Sequence, residues 1–261
     1  MLEEIQIEKF SCFEKQTNVK LSKINLLTGL NGSGKSEFLN AVMLVDDSFS
    51  SDTKTLSIKY VLDNEIISSL VKREGKSYKI SFNQSEDTAT LPSVKFVKKD
   101  RKLVDEFAFT NELVLNANKI ANDILELNID FNSDVEEKFA INWDFSSVAG
   151  SGFNSVLKIV LYALITRKDE ILIIENPELN LHREAQSRLI KFLVDICVKN
   201  NFQLFIETHS DHFINHIGKF IKVGDVLKDD ALVLFFEGRK NQYNIEPCYF
   251  NSKGYIENWF I

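Results

Sequence analysis

The chain has 261 residues, of which 44% are apolar and 26% charged, and its formal net charge is −7. This composition is typical of a globular domain with a large core, and it excludes collagen-like and disordered classes. The acidic balance argues against a surface dedicated to nucleic-acid phosphates, so nucleic acid is a possible but unsupported partner.

Cysteine spacing and the pattern of apolar residues define the expected compartment. Cys12, Cys197 and Cys248 are far apart and form no C-x-x-C pair, so neither a disulfide framework nor a zinc site is predicted, and we expect buried free thiols. The first residues alternate like a strand, and no apolar run approaches the length of a membrane span. We therefore expect a cytoplasmic protein without membrane contact.

Two strands and a helix are predicted within residues 1–45. Residues 2–10 alternate between apolar and polar, residues 24–27 form a short apolar run, and residues 37–45 carry apolar side chains at helical spacing. The glycine-rich stretch between the second strand and the helix is therefore a loop that leads from strand into helix.

Residues 46–145 predict a β-meander followed by a helical lobe. Four short β-branched segments, 55–61, 66–71, 77–82 and 94–97, are separated by turn residues, which favours antiparallel pairing. Residues 102–130 lack glycine and proline and place apolar residues on one helical face, with a charged cluster at 98–102 before them.

Helices and strands alternate in residues 146–261. An apolar helix at 156–165, a strand at 171–174, a helix at 183–199 and a strand at 204–206 are followed by strands at 232–236 and 243–250. This alternation predicts a parallel sheet with right-handed crossovers, in which ligands bind at the carboxyl ends of the strands. We predict one α/β domain over 1–261, with its core in 1–45 and 146–261.

Residues 29–36 match the motif G-x-x-x-x-G-K-[ST] in the strand-to-helix context that the motif requires. In this motif the backbone N–H groups cradle phosphates, the lysine reaches the β- and γ-phosphates, and the serine hydroxyl binds Mg²⁺. The sequence therefore predicts ATP and Mg²⁺ as ligands. The residues expected to contact them are Asn31, Gly32, Ser33, Gly34, Lys35 and Ser36.

Carboxylates follow the strand at 171–174. Glu175 ends that strand, and Asn176 and Glu178 come directly after it. A carboxylate delivered to the phosphate end of the sheet can hold Mg²⁺ through its water shell, so Ser36 and Glu175 are the predicted metal residues.

A histidine follows the strand at 204–206. His209 is expected at the same sheet edge, where it can contact the γ-phosphate or the attacking water. We assign His182, at the start of the preceding helix, a structural or interface role, and we expect His212 and His216 on a solvated helix face.

These motifs together resemble one family. The P-loop, the block Glu-Asn-Pro-Glu-Leu-Asn-Leu-His at 175–182 and Glu-Thr-His-Ser-Asp at 207–211 resemble the ABC-type ATPases of the RecF, SMC and overcoming-lysogenization-defect group. The similarity is greatest to compact bacterial AAA-type members, often found in phage-defence operons. The resemblance covers 1–45 and 146–261. It implies a P-loop NTPase fold of ABC type with a mixed central sheet, an antiparallel β lobe and a helical lobe.

The resemblance also implies roles for individual residues. Glu175 takes the Walker B position, residues 180–182 form the D-loop, and His209 is the switch histidine. Residues 150–155 correspond to the signature segment, which contacts the γ-phosphate bound by another subunit. The predicted contacts there are Gly150, Gly152, Asn154 and Ser155.

The sequence departs from the family pattern at two places. Asn176 stands where most members have the glutamate that polarises the attacking water, and an amide cannot accept the proton, so slow hydrolysis is expected unless Glu178 or Glu175 takes over. The signature segment is degenerate, since Gly-Ser-Gly-Phe-Asn-Ser replaces the usual Ser-Gly-Gly-Gln run. Gln84 is a candidate for the Q-loop.

The predicted function is an ATP-dependent switch. A homodimer closes around two ATP molecules, opens after hydrolysis and controls a separate effector protein, since the last strand leaves little chain for an effector domain. Two alternatives are a hydrolysis-deficient clamp gated by nucleotide and a RecF-like DNA repair ATPase, which salt-dependent DNA binding would reveal.

Overall fold

The computed structural model describes residues 1–9, 12–13, 15–43, 56–62, 65–74, 77–83, 92–98, 110–127, 146–239 and 242–259. The strands are β1 (Leu2–Lys9), β2 (Thr17–Lys20), β3 (Ile24–Gly29), β4 (Leu56–Leu62), β5 (Glu65–Glu74), β6 (Ser77–Asn83), β7 (Val94–Val97), β8 (Ile171–Glu175), β9 (Gln203–Glu207), β10 (Ala231–Arg239), β11 (Gln242–Phe250) and β12 (Ile256–Glu257). The helices are α1 (Lys35–Met43), α2 (Asn111–Leu125), α3 (Ser146–Ile165), α4 (Arg183–Asn200) and α5 (Asp211–Val223).

The larger sheet has seven strands in the order β12-β11-β10-β3-β9-β8-β7. Strands β10, β3, β9, β8 and β7 run parallel, while β11 and β12 add antiparallel strands at one edge. This confirms the predicted α/β class with a mixed central sheet. It also brings the carboxyl ends of β3, β8 and β9 to one edge, as expected for a ligand site.

The strand at residues 94–97 was predicted correctly, but the sheet to which it was assigned was wrong. The smaller sheet, β2-β1-β4-β5-β6, is antiparallel and contains the predicted meander, but β7 is not in it. Instead β7 pairs in parallel with β8 at the edge of the larger sheet. The sequence of a four-residue strand does not show whether the strand pairs in parallel or antiparallel, because both kinds of sheet contain such short segments.

Two apolar clusters fill the spaces around the larger sheet. One joins the sheet to α2, α3, α4 and α5, and the other lies between the two sheets and contains α1. The buried Tyr60 of β4 donates a hydrogen bond from its hydroxyl to the Ala41 carbonyl of α1, at 2.8 Å. The helix that follows the P-loop is therefore fixed by both sheets.

His212 and His216 were expected on a solvated helix face, and the structure shows them only partly exposed. Both are half-buried on α5, beside α4. His212 Nε2 lies 2.8 Å from Ser187 Oγ and 3.0 Å from the Arg183 carbonyl, and the two imidazole rings are 4.3 Å apart.

The three cysteines are free thiols. Cys197 and Cys248 are buried, and Cys12 is half-buried. Gln84 and residues 99–102 lie outside the described residues.

A buried amide connects the two sheets. The Gln203 side chain of β9 donates to the carbonyls of Leu2 and Ser22, both at 2.8 Å, and accepts from the Leu2 N–H at 3.1 Å. Only 2% of Gln203 is exposed, so no water replaces these bonds if the amide is removed.

We expect Gln203→Leu to lower the free energy of unfolding by about 1–3 kcal/mol, because the N–H and the carbonyl of the buried Leu2 lose this partner while the side-chain volume is kept. Urea unfolding of both proteins measures the difference. Gln16→Leu is the matched control, since the Gln16 amide is exposed and bonds only weakly to Asn18 at 3.5 Å. Equal stabilities of Gln203→Leu and Gln16→Leu would show that the amide connection is not stabilising.

Candidate nucleotide-binding site

The glycine-rich loop turns tightly between β3 and α1, as the motif predicts. Gly29 has φ +136°, and a Cβ built on it would lie 2.3 Å from the Phe236 carbonyl oxygen of β10, so no other residue fits there without a backbone shift. The Ser33 N–H donates to the Leu30 carbonyl at 3.2 Å and closes the turn. The loop is therefore held in shape by its own backbone and by β10.

Lys35 is the first residue of α1 and its side chain folds back over the loop. Nζ donates to the carbonyls of Gly29 at 3.0 Å and Leu30 at 2.9 Å, and only 4% of the residue is exposed. It lies 4.0 Å from Glu207 Oε1. Desolvation lowers the pKa of Lys35, and the Glu207 carboxylate opposes that shift.

The loop has room and polar groups for phosphate. A Cβ added at Gly32 would meet no atom within 4 Å, so the backbone there faces open space. Ser33 Oγ is buried and has no hydrogen-bond partner among the described residues. Ser36 is exposed in the first turn of α1. An open loop at a helix N-terminus with an unpaired hydroxyl is chemically suited to an anionic ligand such as a nucleotide phosphate.

Two carboxylates end neighbouring strands at this edge of the sheet. Glu175 of β8 and Glu207 of β9 are direct partners in the parallel register, so both side chains project from the same face. Glu175 is half-buried, whereas Glu207 is buried beside Lys35. Glu207 was not among the predicted site residues. Its position directly after an apolar strand, like that of Glu175, was the available signal.

Asn176 has a constrained backbone. Its φ of +44° is left-handed, its N–H donates to the Glu207 carbonyl at 2.7 Å, and the side chain is buried. Asparagine tolerates this conformation better than most residues with a Cβ. The backbone therefore gives a second reason for asparagine at this position, beside any role in the reaction.

Glu178 connects the segment after β8 to the loop after β9. Its Oε1 accepts a hydrogen bond from the His209 N–H at 2.8 Å, and its Oε2 is buried without a partner in the described part of the chain. Desolvation, followed by the Lys35 ammonium, lowers the pKa of His209, whereas the Glu178 carboxylate raises it. The imidazole is consequently favoured in its neutral form, which both donates and accepts hydrogen bonds.

The predicted signature segment has a different structure from the one expected. We expected residues 146–152 to precede a helix at 156–165, but α3 already begins at Ser146. The N–H groups of residues 150–155 are therefore inside the helix and are bonded to its own carbonyls. The contact of this segment with a phosphate bound by another subunit stays a prediction. Ser155 is buried and Asn154 is half-buried. A Cβ on Gly152 would lie 3.3 Å from the Asn180 carbonyl oxygen, so this part of α3 contacts the D-loop.

The structure thus brings Lys35, Glu175, Asn176, Glu178 and His209 to one sheet edge and adds Glu207. The described residues contain no cluster of three or more histidine, cysteine, aspartate or glutamate side chains arranged to hold a metal by themselves. None of the described helices is long and apolar enough to cross a membrane.

A P-loop between β3 and α1, carboxylates that end β8 and β9, and a mostly parallel sheet are the features of a P-loop NTPase fold of the ABC type. Comparisons with known proteins agree with this class. Residues 146–214 match the family described as AAA ATPase domain. An ATP/GTP phosphatase of Helicobacter pylori is 27% identical over 169 residues, which are 60% of this chain and 44% of that protein. The chain spans less than half the length of this relative.

Solved structures share the fold. The SMC head domain from Thermotoga maritima superposes with a TM-score of 0.59 at 16% identity, covering 94% of this chain and 98% of that one. The Smc head domain from Pyrococcus furiosus, solved with the C-terminal domain of ScpA, gives 0.58 at 9% identity, covering 94% and 96%. Together with the P-loop, these likenesses show that the chain has the P-loop NTPase fold of SMC head domains.

Proposed function

We propose that the chain is an ATP-dependent switch that dimerises through its nucleotide-binding edge and controls a separate partner protein. The convergence of Lys35, Glu175, Glu207 and His209 at the carboxyl ends of β3, β8 and β9 carries this proposal. Lysine and histidine supply contacts to phosphate, while the carboxylates supply a place for a cation. We infer a cytoplasmic location for such a switch.

Ser36 and Glu175 are the proposed residues for Mg²⁺. Ser36 is exposed at the start of α1, and Glu175 is half-buried at the end of β8. Oxygen ligands of this kind suit Mg²⁺, which keeps several of its waters and neutralises phosphate charge when bound. Lys35 must leave the Gly29 and Leu30 carbonyls to reach a phosphate, and Glu207 then remains close enough to orient its ammonium group.

Slow hydrolysis is part of this proposal. Asn176 orients a water but does not remove its proton, and Glu178 already accepts a hydrogen bond from the His209 backbone. In such a dimer the slow hydrolysis step sets how long the two chains stay closed around ATP. If hydrolysis is absent altogether, the same residues describe a clamp that nucleotide closes, and turnover by the purified protein distinguishes the two.

Exposed leucines support a dimer interface at this edge. Leu30 of the P-loop is 63% exposed and Leu179, just before the D-loop, is 43% exposed. In the proposed dimer these two side chains are the apolar contacts at the nucleotide-binding edge. A second copy would cover them when ATP bridges the two chains.

We expect Mg-ATP to convert a single chain into a dimer, measured as a doubling of mass by light scattering. Leu179→Asp should weaken dimerisation at least tenfold and leave ATP binding by the single chain unchanged, because it places a charge in the interface. Val198→Asp is the matched control, since Val198 is 44% exposed but lies near the other end of α4. A mass that does not respond to nucleotide, or an equal effect of both variants, would contradict the proposed dimer.

The partner is proposed to be a separate protein, and the family resemblance supports a role in defence against phage. The Pyrococcus furiosus Smc head was solved bound to a domain of ScpA, an example of this fold binding a separate chain. Phage plating on cells with wild-type or Lys35→Ala protein tests the defence role. Equal plaque counts with both would contradict it.

A further inference from the structure

Gln186, in the first turns of α4, is hydrogen-bonded to two different loops of the site. Its Nε2 donates to the Leu181 carbonyl of the D-loop at 3.0 Å. Its Oε1 accepts from Ser210 Oγ at 3.0 Å, directly after His209. One side-chain amide therefore connects the D-loop to the loop that carries the switch histidine.

The D-loop and the loop after β9, which we call the switch loop (residues 207–211), both make further contacts within the chain. The D-loop contacts α3, and the switch loop contacts the strand before the P-loop. On the D-loop side, the Asn180 carbonyl lies against Gly152 of α3, so the D-loop is in contact with the predicted signature segment. On the switch side, the Thr208 N–H donates to the Leu27 carbonyl of β3 at 2.9 Å, and Thr208 Oγ1 accepts from the Ser210 N–H at 3.0 Å. The switch loop is thereby bonded to the strand that leads into the P-loop.

Amide geometry makes this connection specific. Gln186 uses its donor on one loop and its acceptor on the other, so a displacement of either loop away from it by more than about 0.5 Å stretches a 3.0 Å bond beyond the ordinary range. Gln186 is half-buried, which favours protein partners over water. Glu178 makes a second connection between the same two segments, through the His209 N–H.

We propose that Gln186 is a positioning residue that couples the D-loop to the switch loop, so that a phosphate sensed near His209 moves the D-loop of the same chain. This inference rests on the proposed function, because it assumes that the D-loop faces a second subunit. It adds a device by which occupation of one ATP site is transmitted towards the other site of the dimer.

The first test is steady-state hydrolysis by Gln186→Met, which keeps the side-chain length and removes both hydrogen bonds. We expect kcat to fall about tenfold while KM changes less than threefold, since Gln186 does not contact the P-loop. Ser210→Ala should cause a similar fall, and the double variant should be no slower than the slower single variant. Ser187→Ala, on the same helix and bonded to His212, is the control expected to keep wild-type kcat.

The second test needs nucleotide binding but no hydrolysis. Hydrogen exchange with and without Mg-ATP should show protection of residues 207–211 and of the D-loop, residues 180–182, in the wild type, but only of 207–211 in Gln186→Met. Protection of both segments in the variant, or additive losses of kcat in the double variant, would overturn the coupling role. A wild type that binds ATP without turnover would instead refute the proposed hydrolysis and leave the exchange experiment decisive. A wild type that shows no protection of 180–182 would refute the coupling directly.

Discussion

Lys35→Ala is expected to lose the stabilisation that Mg-ATP gives the wild-type protein, on the order of 3 kcal/mol at about a hundredfold excess of ATP over its Kd. The ammonium group is already at the loop and is held there by the Gly29 and Leu30 carbonyls, so it reaches phosphate by a short movement of one side chain. Alanine leaves the phosphate charge without this partner. The measurement is the change in melting temperature on adding Mg-ATP.

The baseline stability of this variant needs its own control. Removing Lys35 also leaves the buried Glu207 carboxylate without its nearby cation, which destabilises the protein before any nucleotide is added. Lys95→Ala is matched to it, because Lys95 is also a buried lysine paired with a glutamate, Glu170, but lies on the edge strand β7. Lys95→Ala should melt earlier and keep the full ATP-induced shift. A full shift in Lys35→Ala would refute the assignment of the site.

Asn176→Asp is expected to raise ATP turnover about a hundredfold, because it places a carboxylate where the amide now stands and general-base catalysis is worth about 10²–10⁴ in rate. Asp is isosteric with Asn and tolerates the left-handed φ of +44° at this position. Asn176→Glu should also raise turnover, but by less, because a longer side chain in this conformation costs about 1 kcal/mol. Initial rates of phosphate release measure both.

Glu178 provides the competing explanation and its test. If Glu178 only positions the His209 backbone, Glu178→Gln should lower turnover about twofold to threefold. The amide oxygen of the glutamine still accepts the hydrogen bond at the same place, and only its charge assistance is lost. If Glu178 is the general base, the wild type turns over at an ordinary rate and Glu178→Gln abolishes activity. Ordinary wild-type turnover together with no gain in Asn176→Asp would refute the weakened-site hypothesis.

The parts of the fold that could be predicted are those that depend on residues close together in the sequence. The P-loop at 29–36 and the strands that end at Glu175 and Glu207 have motif or periodicity signals, and they occur where predicted. The partner of β7 was missed because strand direction depends on residues far away in the chain. The early start of α3 was missed because glycine and serine in residues 146–152 are typical of loops, although packing against the D-loop at Gly152 favours helix there.

Side-chain connections between distant segments had no sequence signal. In the sequence Gln186 and Gln203 are ordinary polar residues of a helix and a strand. Only the folded chain shows that the Gln186 amide bonds to Ser210 and the Gln203 amide to Leu2. The contact of His212 with Ser187 was missed for the same reason. Hydrogen-bond partners far apart in sequence become evident only once the helices and strands are packed.

The strand order of the larger sheet also constrains how the protein is made. Strand β3, which leads into the P-loop, lies between β9 (Gln203–Glu207) and β10 (Ala231–Arg239), and both of these follow far along the chain. During translation β3 is therefore synthesised long before either neighbouring strand leaves the ribosome, and its apolar residues have no partner strand until then. Because the Phe236 carbonyl of β10 lies against Gly29, the nascent chain acquires the shape of its phosphate loop only after β10 has left the ribosome. ATP binding by a ribosome-bound chain would then mark the moment at which the sheet closes.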